Sequence, residues 1–491
     1  MILRRAFTVI AFLLSVAAGI NGNAYAQSSK DASGKQNAQK NKDGKQQNED
    51  KSAGKDEHKL SRKERKKKHR EEKKRKKEER KLQNELKKKN REKEEKIAKS
   101  NDKKPAKLTR DPVVPHRRKQ EVYYPNTKIK SSYRINVLLP LYLDELVKGE
   151  SVTFKDRVPE KAIQGLAFYQ GVKLASDSLK KAGYNLDIFI NDVGSYSESP
   201  EMLIDNRKFD STDLIIGAVQ QHDIPDLAAY AKKKKINFVS ALSPNDGYVK
   251  NNQYFTMLQP SLKSHCEFII DDMSKKYPGQ KVALLYRNSS PNDENSGEYM
   301  INDNYSEVEF KKLLCNALPG KKDLLTVFDT SKPNIVVVTI LDIAFADSLL
   351  KELAHYFPRT HFEVYGMPTW NAIANLRKAN AYTNITVNVT YPFNFEPAEG
   401  SMVQQVERNY KKEYGGKASE MVFRGYETLF WYATLLEKYG TIFNSNYKDN
   451  SGAPFTKFQV KPRWDANGSL LFNENRHIYL SMYQGGVYRT E

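Results

Sequence analysis

From about residue 133 onward, short apolar runs alternate with longer stretches in which apolar residues recur every third or fourth position. The spacing predicts a strand over 134–141, an amphipathic helix over 159–182 that stops at Gly183, and a strand over 186–190. A short helical piece at 200–209 leads into the apolar run 213–217, which ends in Gly217. An amphipathic stretch of helix length follows at 223–235, then the apolar run 238–242 closed by Ser243 and Pro244. Strand, turn, helix, strand and polar turn make a βαβ unit, whose strand ends bring small polar groups to one crevice.

After an extended segment at 254–258 the pattern restarts. It predicts a helix over 261–276, a strand at 281–286, a polar loop over 288–304 and a helix at 305–316. A strand at 335–339, a helix over 342–354, a strand at 362–366, a short helix near 369–378 and a strand at 383–390 come next. Helices at 399–413 and 418–438 and short strands near 455–460, 469–472, 477–482 and 486–489 complete the chain. Two successive series of alternating strands and helices indicate an α/β protein of two doubly wound lobes with mostly parallel sheets.

Charge changes the picture at the other end. The formal net charge is +21, but residues 27–130 hold 38 Lys+Arg against 18 Asp+Glu, whereas residues 131–491 hold 41 against 42. The basic excess therefore lies outside the folded part. Residues 1–26 read as a cleavable secretory signal: Arg4 and Arg5, an apolar core over 6–20, and the small-x-small site Ala24-Tyr25-Ala26, with no cysteine for lipid attachment. The expected location is periplasmic or otherwise exported. Residues 27–58 are too polar to bury a core and are expected to be disordered. Residues 59–104 are Lys/Glu-rich, with pairs such as Glu71 and Arg75 at i,i+4, and predict a solvated charged helix or low-complexity linker, since the few leucines make no coiled-coil seam. Pro105, Pro112, Pro115 and Pro125 mark a linker over 105–130. No aromatic residue interleaves the tail lysines before Tyr123, so nucleic acid is not an expected partner; the tail fits a solvated spacer without a partner, or one that meets an anionic envelope surface or the cell wall. Cys266 and Cys315 are too few for a disulfide framework and are compatible with a bridge or with two buried thiols.

Five segments carry a resemblance. They are Phe168-Tyr169-Gln170-Gly171-Val172-Lys173-Leu174-Ala175, the strand end 213–217, the turn 237–244, the stretch 253–261, and Phe423-Arg424-Gly425-Tyr426-Glu427. In this order they resemble the motifs of type I periplasmic binding proteins, the leucine/isoleucine/valine-binding class that serves ABC transporters. The likeness covers about residues 133–440. It implies lobe one over about 131–258 and 398–440, and lobe two over about 259–390 and 441–491. Crossings are implied near 258–261, 390–398 and 439–455, around a cleft that closes on a small ligand by hinge motion. The implied ligand-binding set is Tyr142, Gln220, Gln221, Ser240 and Ser243 from lobe one, and Tyr286, Thr369 and Trp370 from lobe two. Each has a plain alternative: Ser243 in a proline turn, Tyr286 and Trp370 as interface packing, His222 as a solvent-facing helix start, Arg287 at the rim. The chain departs from the motif after Gly217, where Ala218-Val219-Gln220-Gln221 replace the usual proline and hydroxyls. That departure argues against a free α-amino acid and leaves a sugar, a peptide or no ligand at all open.

No nucleophile elbow, zinc motif, phosphate loop or dinucleotide fingerprint occurs, so neither catalysis nor a cofactor or metal is expected. Two functions fit. One is an exported solute receptor that hands a small ligand to a permease or sensor. The other is an envelope structural or regulatory protein that keeps the receptor fold as an interaction scaffold.

Overall fold

A computed structural model describes residues 121–490 except 150, 156, 303–307 and 466. The expected signal (1–26), disordered segment (27–58), charged stretch (59–104) and linker up to 120 lie outside the described residues. Strand β1 (Tyr133–Leu139) is buried on both faces: Ile135, Val137 and Leu139 join one core while Leu138 joins another. That double burial explains its unbroken apolar run. Short helix α1 (Leu143–Leu146) and the hairpin β2 (Val147–Lys148) and β3 (Ser151–Val152) fill the loop before α2 (Glu160–Lys181). α2 ends in a Schellman motif, with Gly183 at φ +88° and the amides of Gly183 and Tyr184 bonded to the carbonyls of Lys180 and Leu179. β4 (Leu186–Asp192), α3 (Pro200–Asp205), β5 (Leu214–Gly217), α4 (Ile224–Lys234), β6 (Asn237–Ser240) and β7 (Phe255–Met257) complete the first series.

The second series runs α5 (Leu262–Lys276), β8 (Lys281–Tyr286), α6 (Pro291–Asn302), β9 (Glu309–Leu314), α7 (Lys321–Leu324), β10 (Asn334–Val338), α8 (Ile343–Tyr356), β11 (Phe362–Gly366) and β12 (Ile385–Tyr391). Helices α9 (Met402–Tyr414) and α10 (Glu420–Tyr439) return to lobe one, where their apolar faces share a core with α2. The chain closes with β13 (Val460–Trp464), β14 (Leu470–Asn475), β15 (Tyr479–Gln484) and β16 (Val487–Thr490). One seven-stranded sheet has the order β13-β14-β7-β6-β5-β1-β4, the other β16-β15-β12-β11-β10-β8-β9. Both are parallel in their centres, and antiparallel pairing is confined to the β13, β15 and β16 side.

Three expectations change. The helix expected at 305–316 is the edge strand β9, and the loop expected at 288–304 holds α6. Pro291 at its start, acids in the first turn and buried Asp293, Ser296 and Met300 hold that helix in spite of its Asn, Ser and Gly content. The assignment of 441–491 to lobe two is also corrected, because β13 and β14 extend the first sheet and only β15 and β16 belong to the second. Phe472 of β14 meets Phe255 of β7 at 5.6 Å between ring centroids, which anchors that edge. The third crossing therefore lies at 476–478 rather than at 439–455. Cys266 and Cys315 are buried and unbridged.

The chain leaves β7, β12 and β14 at their carboxyl ends, and each exit leads into the other lobe. The carboxyl ends of the two sheets thus face the same crossings, and the crevice lies between them.

Candidate functional site

The strand ends that border the crevice are stiffened by the chain's own polar groups. After β1 the backbone turns through Tyr142, a non-glycine residue at φ +57°. This turn aims three consecutive amides at one point, and the Asp192 carboxylate fills it. Its Oδ1 accepts from the amides of Leu141 at 2.8 Å and Tyr142 at 2.9 Å, and its Oδ2 accepts from Leu143 at 2.6 Å. Such a nest of amides is an anion site, and here an internal carboxylate occupies it. The ring of Tyr142 lies under the Lys161 ammonium, 4.4 Å from the ring centroid, and Lys161 also pairs with Glu145.

The structure separates the remaining expected site residues into two groups. Gln220 is exposed, Gln221 half-buried beside it at the start of a short 3-10 turn before α4, and Tyr286 half-buried at the end of β8. These three lie at or just after the carboxyl ends of their strands, and none is fully buried. The others are buried or bonded back to the backbone. Ser243 closes its own turn, accepting from the Asn245 amide and donating to the Asn245 carbonyl, both at 3.2 Å. Ser240 is fully buried, and its hydroxyl has no partner among the described residues. Thr369 donates its hydroxyl to the Leu341 carbonyl at 2.6 Å. Trp370 is corrected from a cleft residue to a core residue. It is 0 % exposed, its Nε1 donates to the Ile340 carbonyl at 2.8 Å, and its ring covers Gly366 so closely that a Cβ there would lie 2.3 Å from it. The reason is the glycine, which lets the indole fold back over β11 instead of projecting from its end. His222 is corrected as well, since its side chain is only 9 % exposed beside Asp223. Arg287 is a brace between Asp293 at 2.6 Å and Asp342 at 3.4 Å.

What joins the lobes was not visible as a site in the sequence. Arg424, near the start of α10, is buried and donates to the Ala241 carbonyl at 2.9 Å and the Gln259 side-chain carbonyl at 2.7 Å, while its guanidinium lies 4.2 Å from the Phe393 ring centroid. One side chain thus grips the end of β6 and two of the three crossings. At the third, Glu474 is fully buried at the end of β14. It accepts from the Ser261 amide at 2.7 Å and the Ser264 hydroxyl at 2.9 Å, and Arg463 Nε donates to it at 2.6 Å. Burial pushes the Glu474 carboxyl up, but Arg463 and the Ser261 bonds outweigh it and hold the group below its ordinary range. Arg463 also reaches Glu267 on α5 at 3.1 Å, so the clamp spans from the first sheet's edge into lobe two. His265 lies nearby on α5, its Nδ1 3.0 Å from the Thr390 hydroxyl on β12, and burial lowers its pKa to about 4, which keeps it neutral. Arg424 falls inside a motif that the sequence displayed, and its role required the fold. Nothing in the spacing of Arg463, Glu474 and Glu267 connected them.

Glu427, one turn beyond Arg424, accepts from the amide and hydroxyl of Thr456. Burial raises its pKa to about 7, against the pull of the Thr456 and Phe455 hydrogen bonds and the Arg424 charge. The folded state therefore keeps a proton that the unfolded chain has lost above about pH 4.5, and stability falls as pH rises through the window from about 4.5 to about 7. The total is about 3 kcal/mol. In Glu427→Gln this slope should vanish, so the variant gains on the natural protein between about pH 5 and pH 8 in urea unfolding. An unchanged stability difference at the two pH values would show that Glu427 does not titrate in this window.

Two α/β lobes, each a parallel-centred sheet, joined by three crossings at one end of both sheets, are the type I periplasmic-binding-protein fold. A solved structure assigned to a branched-chain amino acid ABC transporter of Rhodospirillum rubrum is similar over 73% of this chain and 100% of that one, at 12% identity and a TM-score of 0.54. An ABC transporter substrate-binding protein of Desulfitobacterium hafniense in complex with Leu covers the same shares at 14% identity and a TM-score of 0.46. LpoA of Haemophilus influenzae is similar over 75% of this chain and 59% of that one, at 13% identity and a TM-score of 0.49. At such identities the likeness is one of fold. The sequence matches no family model and no curated protein.

Proposed function

We propose that this chain is an exported, non-catalytic binding protein that takes a small neutral ligand, a sugar or peptide rather than a free amino acid, between its lobes. It would present that ligand to a permease or a sensor. The observation that carries this reading is the set of three crossings, which leaves the carboxyl ends of both sheets facing one crevice. Gln220, Gln221 and Tyr286 offer amide and phenol groups suited to a neutral polar ligand. The internal carboxylate of Asp192 in the amide nest after β1 weighs against an anion at that turn.

A second reading, an envelope scaffold with its basic tail on an anionic surface or the cell wall, is favoured by the hydrogen bonds that tie Ser243, Thr369 and Trp370 back to the protein's own carbonyls. Thermal-shift titration of the mature full-length chain separates the two. A saturating ligand at a hundred times its Kd stabilises the folded state by about 2.7 kcal/mol. Sugars or peptides should raise the melting temperature, free amino acids should not, and Gln220→Ala with Gln221→Ala should abolish the shift. No shift with any of these classes, together with salt-sensitive retention on cell wall, selects the scaffold.

A further inference from the structure

The end of lobe one farthest from the crevice is basic, and the tail leaves the fold there. In a parallel sheet the helices run back against the strands, so their carboxyl ends gather at the end opposite the strand carboxyl ends. α2 finishes on Lys180 and Lys181, α3 is followed by Lys208, and α4 finishes on Lys232 and Lys233 with Lys235 as its C-cap. All six are exposed, and none makes an ion pair among the described residues. Of the acids at this end, Asp210 pairs with Arg207 and Lys234, and Asp213 with Lys130, while Glu121, Asp187, Asp205 and Glu437 are exposed. Lysines in last turns complement helix dipoles, and that alone would account for each one separately.

The second observation is where the tail attaches. Residues 121–130, expected as free linker, lie against this same end. Gln253 donates to the Tyr123 carbonyl at 2.6 Å, Thr127 donates to the Tyr439 carbonyl at 2.6 Å, and the Thr441 amide donates to the Lys128 carbonyl at 3.1 Å. Gly440, at φ +72°, makes room for this strap, since a Cβ there would lie 2.5 Å from the Lys128 carbonyl oxygen. With its backbone fixed, the strap turns Tyr123 and Ile129 outward at 78% and 65% exposure, the two most exposed large apolar residues described. The 94 residues from 27 to 120 that precede it in the chain hold 36 of the tail's 38 Lys+Arg.

We propose that the cleft-distal end of lobe one is a docking face for an anionic lipid bilayer, which holds the protein with its crevice directed away from the membrane. Separate lysines on helix ends match a diffuse planar charge, and an exposed tyrosine and isoleucine among them match the headgroup layer. Among the described residues no helix is long and apolar enough to cross a membrane, so the contact is peripheral. The proposal does not depend on what enters the crevice.

The test uses the mature full-length chain and vesicles of phosphatidylcholine with or without phosphatidylglycerol. Binding should require phosphatidylglycerol and weaken with salt. Replacing the six lysines by Gln should weaken it at least ten-fold, whereas Lys311→Gln with Lys312→Gln, exposed on β9 at the edge of the second sheet, should change it less than two-fold. Should the six-fold variant lose its folded circular-dichroism spectrum, Lys180→Gln with Lys181→Gln, and Lys232→Gln with Lys233→Gln, replace it, each expected to weaken binding at least two-fold. An environment-sensitive dye on Ile129→Cys should shift to the blue with these vesicles, and one on Asn245→Cys, after β6, should not; Cys266 and Cys315 are buried and stay unlabelled. Absence of binding, or an equal response at 129 and 245, overturns the proposal. Full binding without the lysines also overturns it, and leaves the tail as the sole attachment.

Discussion

Alanine at Gly425 should destabilise the protein by about 3 kcal/mol or more, although alanine is the better helix former by about 1 kcal/mol. The reason is the crossing of α2 and α10. A Cβ at Gly425 would lie 2.1 Å from the Phe168 carbonyl oxygen, and one at Gly171 would lie 1.9 Å from that of Val422. These are backbone atoms of well-packed helices, so no flexible side chain can yield, and the helices must separate along a core that includes Phe168, Val172, Val422 and Leu429. Gly171→Ala should behave alike. The double variant should cost less than the sum, because one separation relieves both overlaps. Urea unfolding measures all three, and a neutral or stabilised Gly425→Ala would mean the helices do not approach this closely. Because Arg424 is the adjacent residue, the same separation would loosen its hold on Ala241 and Gln259, so hinge and core should fail together.

Arg463→Ala is expected to cost about 3–5 kcal/mol, the usual result of leaving a buried charge without its partner. Glu474 would keep Ser261 and Ser264 but lose the guanidinium paired with it at 2.6 Å, and Glu267 would lose its bridge across the lobes. Glu474→Gln should cost less, since a neutral amide can still accept from Ser261. Replacing both by apolar residues, Arg463→Met with Glu474→Leu, should bring stability back toward the natural value, because the pair's attraction is largely offset by its desolvation. The pH dependence separates this network from Glu427. The lowered pKa of Glu474 contributes stability that is present above its unfolded value and is lost as pH falls through the folded one. Glu474→Gln should therefore flatten the acid side of the profile and leave the neutral side unchanged. A loss of no more than about 1 kcal/mol in Arg463→Ala would remove the clamp from the account of the hinge.

Much of the fold was legible because its signals are local. The apolar runs of β1, β5, β6, β8 and β10 are buried on both faces and stand out as unbroken hydrophobic stretches. The ends of α2 and α10 coincide with glycines at positive φ. Two of the resembling motifs, around Gly171 and Gly425, turn out to be the two sides of one helix contact, which neither shows alone. α6 and β9 were misread because their propensities are weak and their neighbours decide. The final hairpin strands β13 to β16 look alike in sequence, and nothing local tells which sheet each will join.

The candidate site was legible only in outline. Chain position placed Gln220, Gln221 and Tyr286 at strand ends, and that follows from period and length. Whether a side chain at a strand end looks into the crevice or folds back is a matter of a few torsions and of what stands beside it. Gly366 draws Trp370 inward, Asp192 takes the amides after β1, and the Leu341 carbonyl takes the hydroxyl of Thr369.

By itself the sequence determined the two series of strands and helices, the basic tail set against a nearly neutral folded part, and the glycines that the helix ends and crossings require. These depend on periodicity, charge count and backbone sterics, all properties of neighbouring residues. Only the tertiary structure decided that Arg463, Glu474 and Glu267 form one clamp, that Arg424 holds two crossings, and that the tail's last ten residues dock at the end of lobe one opposite the crevice. Each of these joins groups far apart in the chain, and the partners that a buried charge or a buried backbone group requires are supplied only by the fold, which no local pattern records.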